Sequence, residues 1–147
     1  MIPNKNLLEI LVNKGKLTQT IAEKILKDAQ TINRPAEELL VERKILTENE
    51  VAEAKSEYFK IPLKIFSPEE VIDREVLNFI PEEVAKTHQL IPFKKEGDNL
   101  LVGMVHPDDL RAQEILRFIA KQKKVNIAVY LITPSDLNNL IRNYRTF

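Results

Sequence analysis

Two stretches of the chain repeat one pattern at a fixed shift of 29 residues. Glu9, Leu11, Val12, Lys14, Leu17 and Thr18 fall on Glu38, Leu40, Val41, Arg43, Leu46 and Thr47, so L-V-N-K-G-K-L-T returns as L-V-E-R-K-I-L-T. Each copy predicts a short helix, a tight turn and a longer helix that opens at its threonine. A hairpin of this size cannot bury its apolar stripe alone, so the two copies are expected to close on each other. Leu11, Leu17, Leu40 and Leu46 are the predicted shared core.

Local signals set the turns. In copy one, Leu7, Leu8, Leu11 and Val12 form an apolar stripe, and Gly15 follows as the residue best suited to a left-handed helix end. Thr18 is a good N-cap for a helix whose Ile21, Ala22, Ile25, Leu26 and Ala29 share one face. In copy two, Pro35 is expected at the first helical position, and Lys44 stands where copy one has glycine. A lysine in the left-handed region costs about 1 kcal/mol, so this second turn is expected to differ in shape. Thr47-x-x-Glu50 reads as a capping box for a helix carrying Val51, Ala54 and Tyr58 inward.

Beyond residue 60 the construction changes. Ser67-Pro68-Glu69-Glu70 reads as a helix start, Val76, Leu77 and Ile80 as a second short helix, and Pro81 as the opening of a third with Val84 and Ala85 inward. After residue 89 the period shifts from helix to strand. Residues 90–94 and 100–105 predict a hairpin about the turn Glu96-Gly97-Asp98-Asn99, and residues 125–132 predict a third strand. Helices start at Pro107-Asp108-Asp109 and at Thr133-Pro134-Ser135-Asp136. The expected class is therefore α+β: tandem helical hairpins over residues 1–60, then a small β-β-α-β-α sheet-and-helix unit over 61–147, the two together forming one regulatory or docking domain.

Composition narrows function more than fold. With 22 basic and 22 acidic residues there is no global field to attract nucleic acid. A helix-turn-helix role is disfavoured as well, because the first 60 residues are neutral and a recognition helix needs cations against phosphates. The imbalance is local. Residues 111–147 hold Arg111, Arg117, Lys121, Lys123, Lys124, Arg142 and Arg145 against only Glu114 and Asp136. The absence of cysteine excludes disulfides and thiolate metal sites, and no run approaches the roughly 20 apolar residues that span a bilayer. The expected location is cytoplasmic.

The tandem L-V-x-x-G-x-L-T hairpins, the R-P-A-E-E-L-L-V-E-R-K-I-L-T run, the Tyr58-Phe59-x-Ile61-Pro62 exit and the Ile91-Pro92 … Leu101-Val102-Gly103-Met104-Val105-His106-Pro107-Asp108 segment resemble the N-terminal domain of type II secretion and type IV pilus assembly ATPases. The resemblance covers essentially the whole chain. It implies a domain that precedes a hexameric ATPase motor and docks that motor onto inner-membrane platform proteins. It also implies that some relatives bind cyclic di-GMP through the duplicated hairpins, by a motif that begins Arg-Leu-Gly, continues through an apolar pair to a glycine and finishes near a glutamine. Here Asn6-Leu7-Leu8 and Pro35-Ala36-Glu37 stand at those openings, Arg34 comes one place early, Gln30 one place late, and Lys44 replaces the second glycine. Gly15 and Arg34 are the remaining candidates for that ligand, and cyclic di-GMP is expected to be disfavoured.

No catalytic residue is expected. A phosphate-binding loop needs closely spaced glycines whose amides cradle phosphate, and Gly15, Gly97 and Gly103 lack that spacing, so the motor is expected to lie outside this chain, which is then an excised domain or a stand-alone copy. His106-x-Asp108 could supply two metal ligands, but a turn followed by a helix cap accounts for it better, and no metal or cofactor is expected. His88 has no evident partner in sequence. Glu82-Glu83 and Asp108-Asp109 read as complements to helix starts rather than paired catalytic acids. Lys121, Lys123 and Lys124 read as a solvated helix end.

Overall fold

A computed structural model describes residues 2–145 of the chain. They form two compact units, Ile2–Lys60 and a second unit from Ile61 onward. The first is all helix; the second carries a three-stranded sheet with helices, and the chain is α+β.

In the first unit α1 (Asn4–Asn13) and α2 (Gln19–Ile32) make one hairpin, α3 (Ala36–Glu42) and α4 (Glu48–Phe59) the other. One core joins them. Leu7, Leu11, Ile25 and Leu40 are fully buried, and Leu17 and Leu46 belong to the same cluster. Removing each of those leucines from water contributes about 1.5–3 kcal/mol, which is why the pair of hairpins holds where one would not. Thr18 accepts a hydrogen bond from the Ile21 amide at 3.2 Å, and Thr47 and Glu50 close a full capping box. Copy one cannot form that box because its third helical residue is Ile21.

The two turns have the same shape, which corrects the expectation for Lys44. Gly15 sits at φ +75° and Lys44 at φ +58°. Gly15 N–H donates to Val12 O at 3.0 Å and Lys16 N–H to Leu11 O at 2.9 Å; Lys44 N–H donates to Val41 O at 3.0 Å and Ile45 N–H to Leu40 O at 2.9 Å. Closing those bonds outweighs the strain of a side chain in the left-handed region. Three further details differ from expectation. Pro35 is the N-cap of α3 rather than its first residue, and Ile21 and Tyr58 are exposed rather than inward.

In the second unit β1 (Leu90–Glu96) and β2 (Asn99–Met104) are antiparallel, and β3 (Asn126–Leu131) lies parallel to β2 in the order β1-β2-β3. Helices α5 (Arg74–Leu77), α6 (Glu82–His88), α7 (Leu110–Lys123) and α8 (Pro134–Ile141) surround it, and a 3-10 turn follows at Arg142–Arg145. Ile72, Ile80, Leu90, Ile91, Leu100, Val102, Met104 and Ile132 form its buried centre. Thr133 caps α8 by accepting from the Asp136 amide, and Pro134 occupies the first turn.

Ser67-Pro68-Glu69-Glu70 does not start a helix. It makes one hydrogen-bonded turn, with Glu70 N–H on Ser67 O at 3.1 Å. Tertiary partners take the backbone groups a helix would have used. Phe66 N–H donates to Asp136 Oδ2 at 3.1 Å, Ile72 N–H to Asn143 Oδ1 at 3.1 Å, and Asn143 Nδ2 donates to Glu70 O at 3.3 Å. The buried Asn143 thus holds this segment as a strap.

Candidate functional site

On the first unit, the two ligand candidates carry different local chemistry. A Cβ added at Gly15 would meet nothing within 4 Å, so the turn is open to solvent on that side. Arg34 is committed elsewhere. Its Nε donates to Glu38 at 3.3 Å and its Nη2 to Glu42 at 2.6 Å, and these acids hold the guanidinium's pKa above its ordinary value while Arg34 holds that of Glu42 below. Among the described residues no hydrogen bond or ion pair joins Arg34 to the Gly15 turn. A hollow of 110 Å³ on the first hairpin is lined by Lys5, Leu8, Val12, Gln19, Glu23 and neighbours, but by neither candidate.

On the second unit, α7 presents an unusual outer face. At 100° per residue Leu110, Glu114, Arg117, Phe118 and Lys121 fall on one side, and Leu110 and Phe118 are 70% and 65% exposed. Lys123 and the left-handed cap Lys124 add charge at its end, where cations also suit the helix dipole. Arg145, expected in the same cationic group, is tied to Glu82 at 3.1 Å. Glu82 also holds Lys86 at 2.9 Å, and chiefly through that bond its carboxyl is kept below the usual range.

Two of the remaining sequence candidates, Asp109 and His88, take structural roles. Asp109 is the N-cap of α7, accepting from the Ala112 amide at 3.1 Å. His88 does have a partner: its Nδ1 lies 3.3 Å from Asp109 Oδ2. Burial alone would raise the Asp109 carboxyl, but the Ala112 N–H, His88 and the Arg111 N–H outweigh it and depress the pKa. Among the described residues no group of three His, Asp or Glu side chains could hold a metal. No helix of the described residues is long and apolar enough to cross a membrane.

Two features of this unit had no counterpart in the sequence reading. Phe66, Phe93 and Tyr130 stack edge to face at 5.1 and 5.6 Å beside an open cleft of 1110 Å³. A second groove of 510 Å³ runs between α7 and β3. Residues distant in sequence form both, so no local pattern in the sequence announces either.

Tandem helical hairpins followed by a three-stranded mixed sheet define the class of fold to which the chain belongs. The chain belongs to the MshEN domain family, whose model matches residues 59–146. It is similar to the structure of MshE with cdg, with 21% identity, coverage of 94% of this chain and 97% of that one, and a TM-score of 0.77. It is also similar to the N-terminal domain of XpsE, with 16% identity, coverage of 97% and 96%, and a TM-score of 0.67. The type IV pilus assembly ATPase PilB of Myxococcus xanthus (strain DK1622) is 22% identical over 139 residues, which is 92% of this chain and 23% of PilB. The chain thus spans under a quarter of that relative's length. The expected membership, among the N-terminal domains of secretion and pilus ATPases, is met.

One expectation is overturned. Cyclic di-GMP was expected to be disfavoured, yet MshE, alike over 94% of this chain, was solved with it. Part of the reason is physical. The missing glycine at Lys44 weighed against the ligand, but Lys44 adopts the same left-handed turn with the same two hydrogen bonds as Gly15, so the backbone is conserved where the side chain is not.

Proposed function

We propose that this chain is the non-catalytic N-terminal docking and regulatory module of a type II secretion or type IV pilus motor, and that it binds an inner-membrane platform protein at the cytoplasmic side. One observation carries the reading: the outer face of α7 exposes Leu110 and Phe118 beside Arg117 and Lys121. Large apolar side chains flanked by cations make an anchor with a charged rim, the composition that favours protein contact over solvent. The rim sets association rate and salt sensitivity, and the apolar pair sets lifetime. The test is stopped-flow association with an acidic cytoplasmic fragment of a platform protein. Lys121→Glu with Lys124→Glu should slow association and flatten its salt dependence, and Phe118→Ala should speed dissociation, with the fold intact. Unchanged rates in both variants would place docking on another face.

A second reading, that the hairpins receive cyclic di-GMP, is favoured by the likeness to MshE and by the open left-handed turn at Gly15. Calorimetric titration decides it. Saturable heat that Gly15→Val abolishes supports the reading, because a β-branched residue strains a left-handed turn; the absence of heat leaves docking alone.

A further inference from the structure

The two edges of the sheet are built differently. At β1 the register slips between Pro92 and Lys94, which leaves Phe93 as a bulge, and Lys94, Lys95 and Glu96 follow. Proline, bulge and charge are the devices that stop a strand edge from pairing with another chain. The opposite edge has none of them. β3 reads Asn126-Ile127-Ala128-Val129-Tyr130-Leu131, uncharged, without proline, and in unbroken register with β2.

Part of that edge is already paired. Leu131 N–H donates to Pro62 O at 2.8 Å and Lys64 N–H donates to Leu131 O at 2.9 Å, a parallel bridge centred on Leu63. On the inner side Asn126 N–H reaches Asp98 O and Ile132 N–H reaches Met104 O. Alternation then fixes the rest: residues 126, 128, 130 and 132 bond to β2, and Ile127 and Val129 point their N–H and C=O groups outward with Leu131. Among the described residues no backbone or side-chain group meets those of Ile127 and Val129. Beside them lies the 510 Å³ groove, lined by Leu116, Arg117, Ala120, Val125, Ile127 and Val129 among others.

We infer that the β3 edge and this groove receive an extended segment of a partner protein by strand addition, with apolar residues at alternate positions and acidic residues flanking them. Main-chain bonds at Ile127 and Val129 would continue the row begun at Leu131, alternate side chains would fill the apolar groove, and acids would meet Arg117, Lys121 and Lys124. A second copy of this chain fits worse, because pairing two β3 edges would set the α7 cations of both copies near one another. The inference deepens the docking reading and rests on it, since Arg117 borders both the groove and the exposed α7 face.

The test selects displayed random peptides against the full chain and carries the strongest binder forward as a synthetic peptide. Alternating apolar sequences with acidic flanks are expected, and the bound peptide should protect the Ile127 and Val129 amides from hydrogen exchange. Val129→Pro removes one outward donor while sparing the bonds to β2, and should weaken the peptide about tenfold, the worth of one or two main-chain hydrogen bonds. If that variant fails to fold, Arg117→Glu with Lys121→Glu must give the loss instead. Helical spacing in the selected peptides, or binding without protection at Ile127 and Val129, would overturn the inference. A platform fragment run in parallel separates the two readings. Platform binding without protection at these amides sinks strand addition and keeps docking, whereas peptide protection without platform binding does the reverse.

Discussion

Lys14 and Arg43, 29 positions apart, hold the same place in the two hairpins, and each reaches across to an acid on the other. Lys14 Nζ lies 2.8 Å from Glu57, and Arg43 Nη1 lies 2.7 Å from Asp28. Glu57 is itself the repeat equivalent of Asp28. The sequence duplication therefore becomes a pseudo-twofold pair in space, with one crossed ion pair on each side of the leucine core, the arrangement a self-complementary interface produces.

The leucines carry that pairing and the ion pairs orient it. Leu11→Ala and Leu40→Ala should each cost about 2–5 kcal/mol, because both side chains are fully buried in the shared cluster. Lys14→Ala and Arg43→Ala should barely move the denaturation midpoint, and less still at high salt, as exposed pairs are screened. Urea titrations of the four variants check this. A loss under about 1 kcal/mol for either leucine would mean that the hairpins do not share a core.

Lys44 offers a gain. It holds φ +58° with its turn hydrogen bonds formed, so Lys44→Gly removes side-chain strain without altering a contact. The variant should be more stable by up to about 1 kcal/mol, reduced by the extra freedom glycine has in the unfolded chain. Gly15→Ala should lose a similar amount. Opposite signs in the two denaturation curves would support the shared turn geometry; a stabilised Gly15→Ala would contradict it.

These outcomes bear on what could be read before the structure. The 29-residue repeat exposed the hairpins because Leu11, Leu40, Thr18 and Thr47 act within a few residues of themselves, through burial periodicity and capping. The strand pattern was legible for the same reason. Nonlocal partners were not. Ser67-Pro68-Glu69-Glu70 has a helix start written into it, but Asp136 and Asn143, some seventy positions on, take its backbone groups. Lys55 is likewise buried, 3.2 Å from Glu37, where charge alone argues for the surface. The docking candidates were legible only as a charge imbalance. That Arg145 is neutralised by Glu82 while Phe118 stands exposed beside Arg117 and Lys121 depends on how helices pack, and no local rule reports it.

Acid should weaken the fold. Asp28, Glu42, Glu50, Glu82 and Asp109 all have carboxyl pKa values below their ordinary 3.8 or 4.5. A depressed carboxyl stabilises the folded chain above its unfolded value, and the contribution is lost as pH falls through the lower folded value. Midpoints should therefore be flat near neutrality and fall once pH drops below the 4.5 and 3.8 of the free side chains. Asp109→Asn keeps an acceptor for the Ala112 amide but cannot titrate against His88, so its acid limb should be shallower. An unchanged limb would mean that Asp109 contributes nothing to it.

Gly103 is a tightly constrained position of the sheet. It lies inside β2, pairing with Ile91 on one side and Tyr130 on the other, and a Cβ built there would stand 2.6 Å from Ile132 Cγ2 and 2.9 Å from Ile132 Cδ1. Ile132 is fully buried, and its branch at Cβ leaves it few rotamers, so it cannot swing clear. Alanine elsewhere in a strand gains from lower unfolded-state freedom, but here the overlap dominates, and Gly103→Ala should lose about 1–3 kcal/mol. The cause is separable from propensity by a double-mutant cycle. Ile132→Ala alone should lose about 2–5 kcal/mol through its cavity, and the double variant should recover part of the sum because the new methyl fills space the isoleucine vacated. Strict additivity would show that the two side chains do not compete for that space, and that glycine stands at position 103 for its backbone alone.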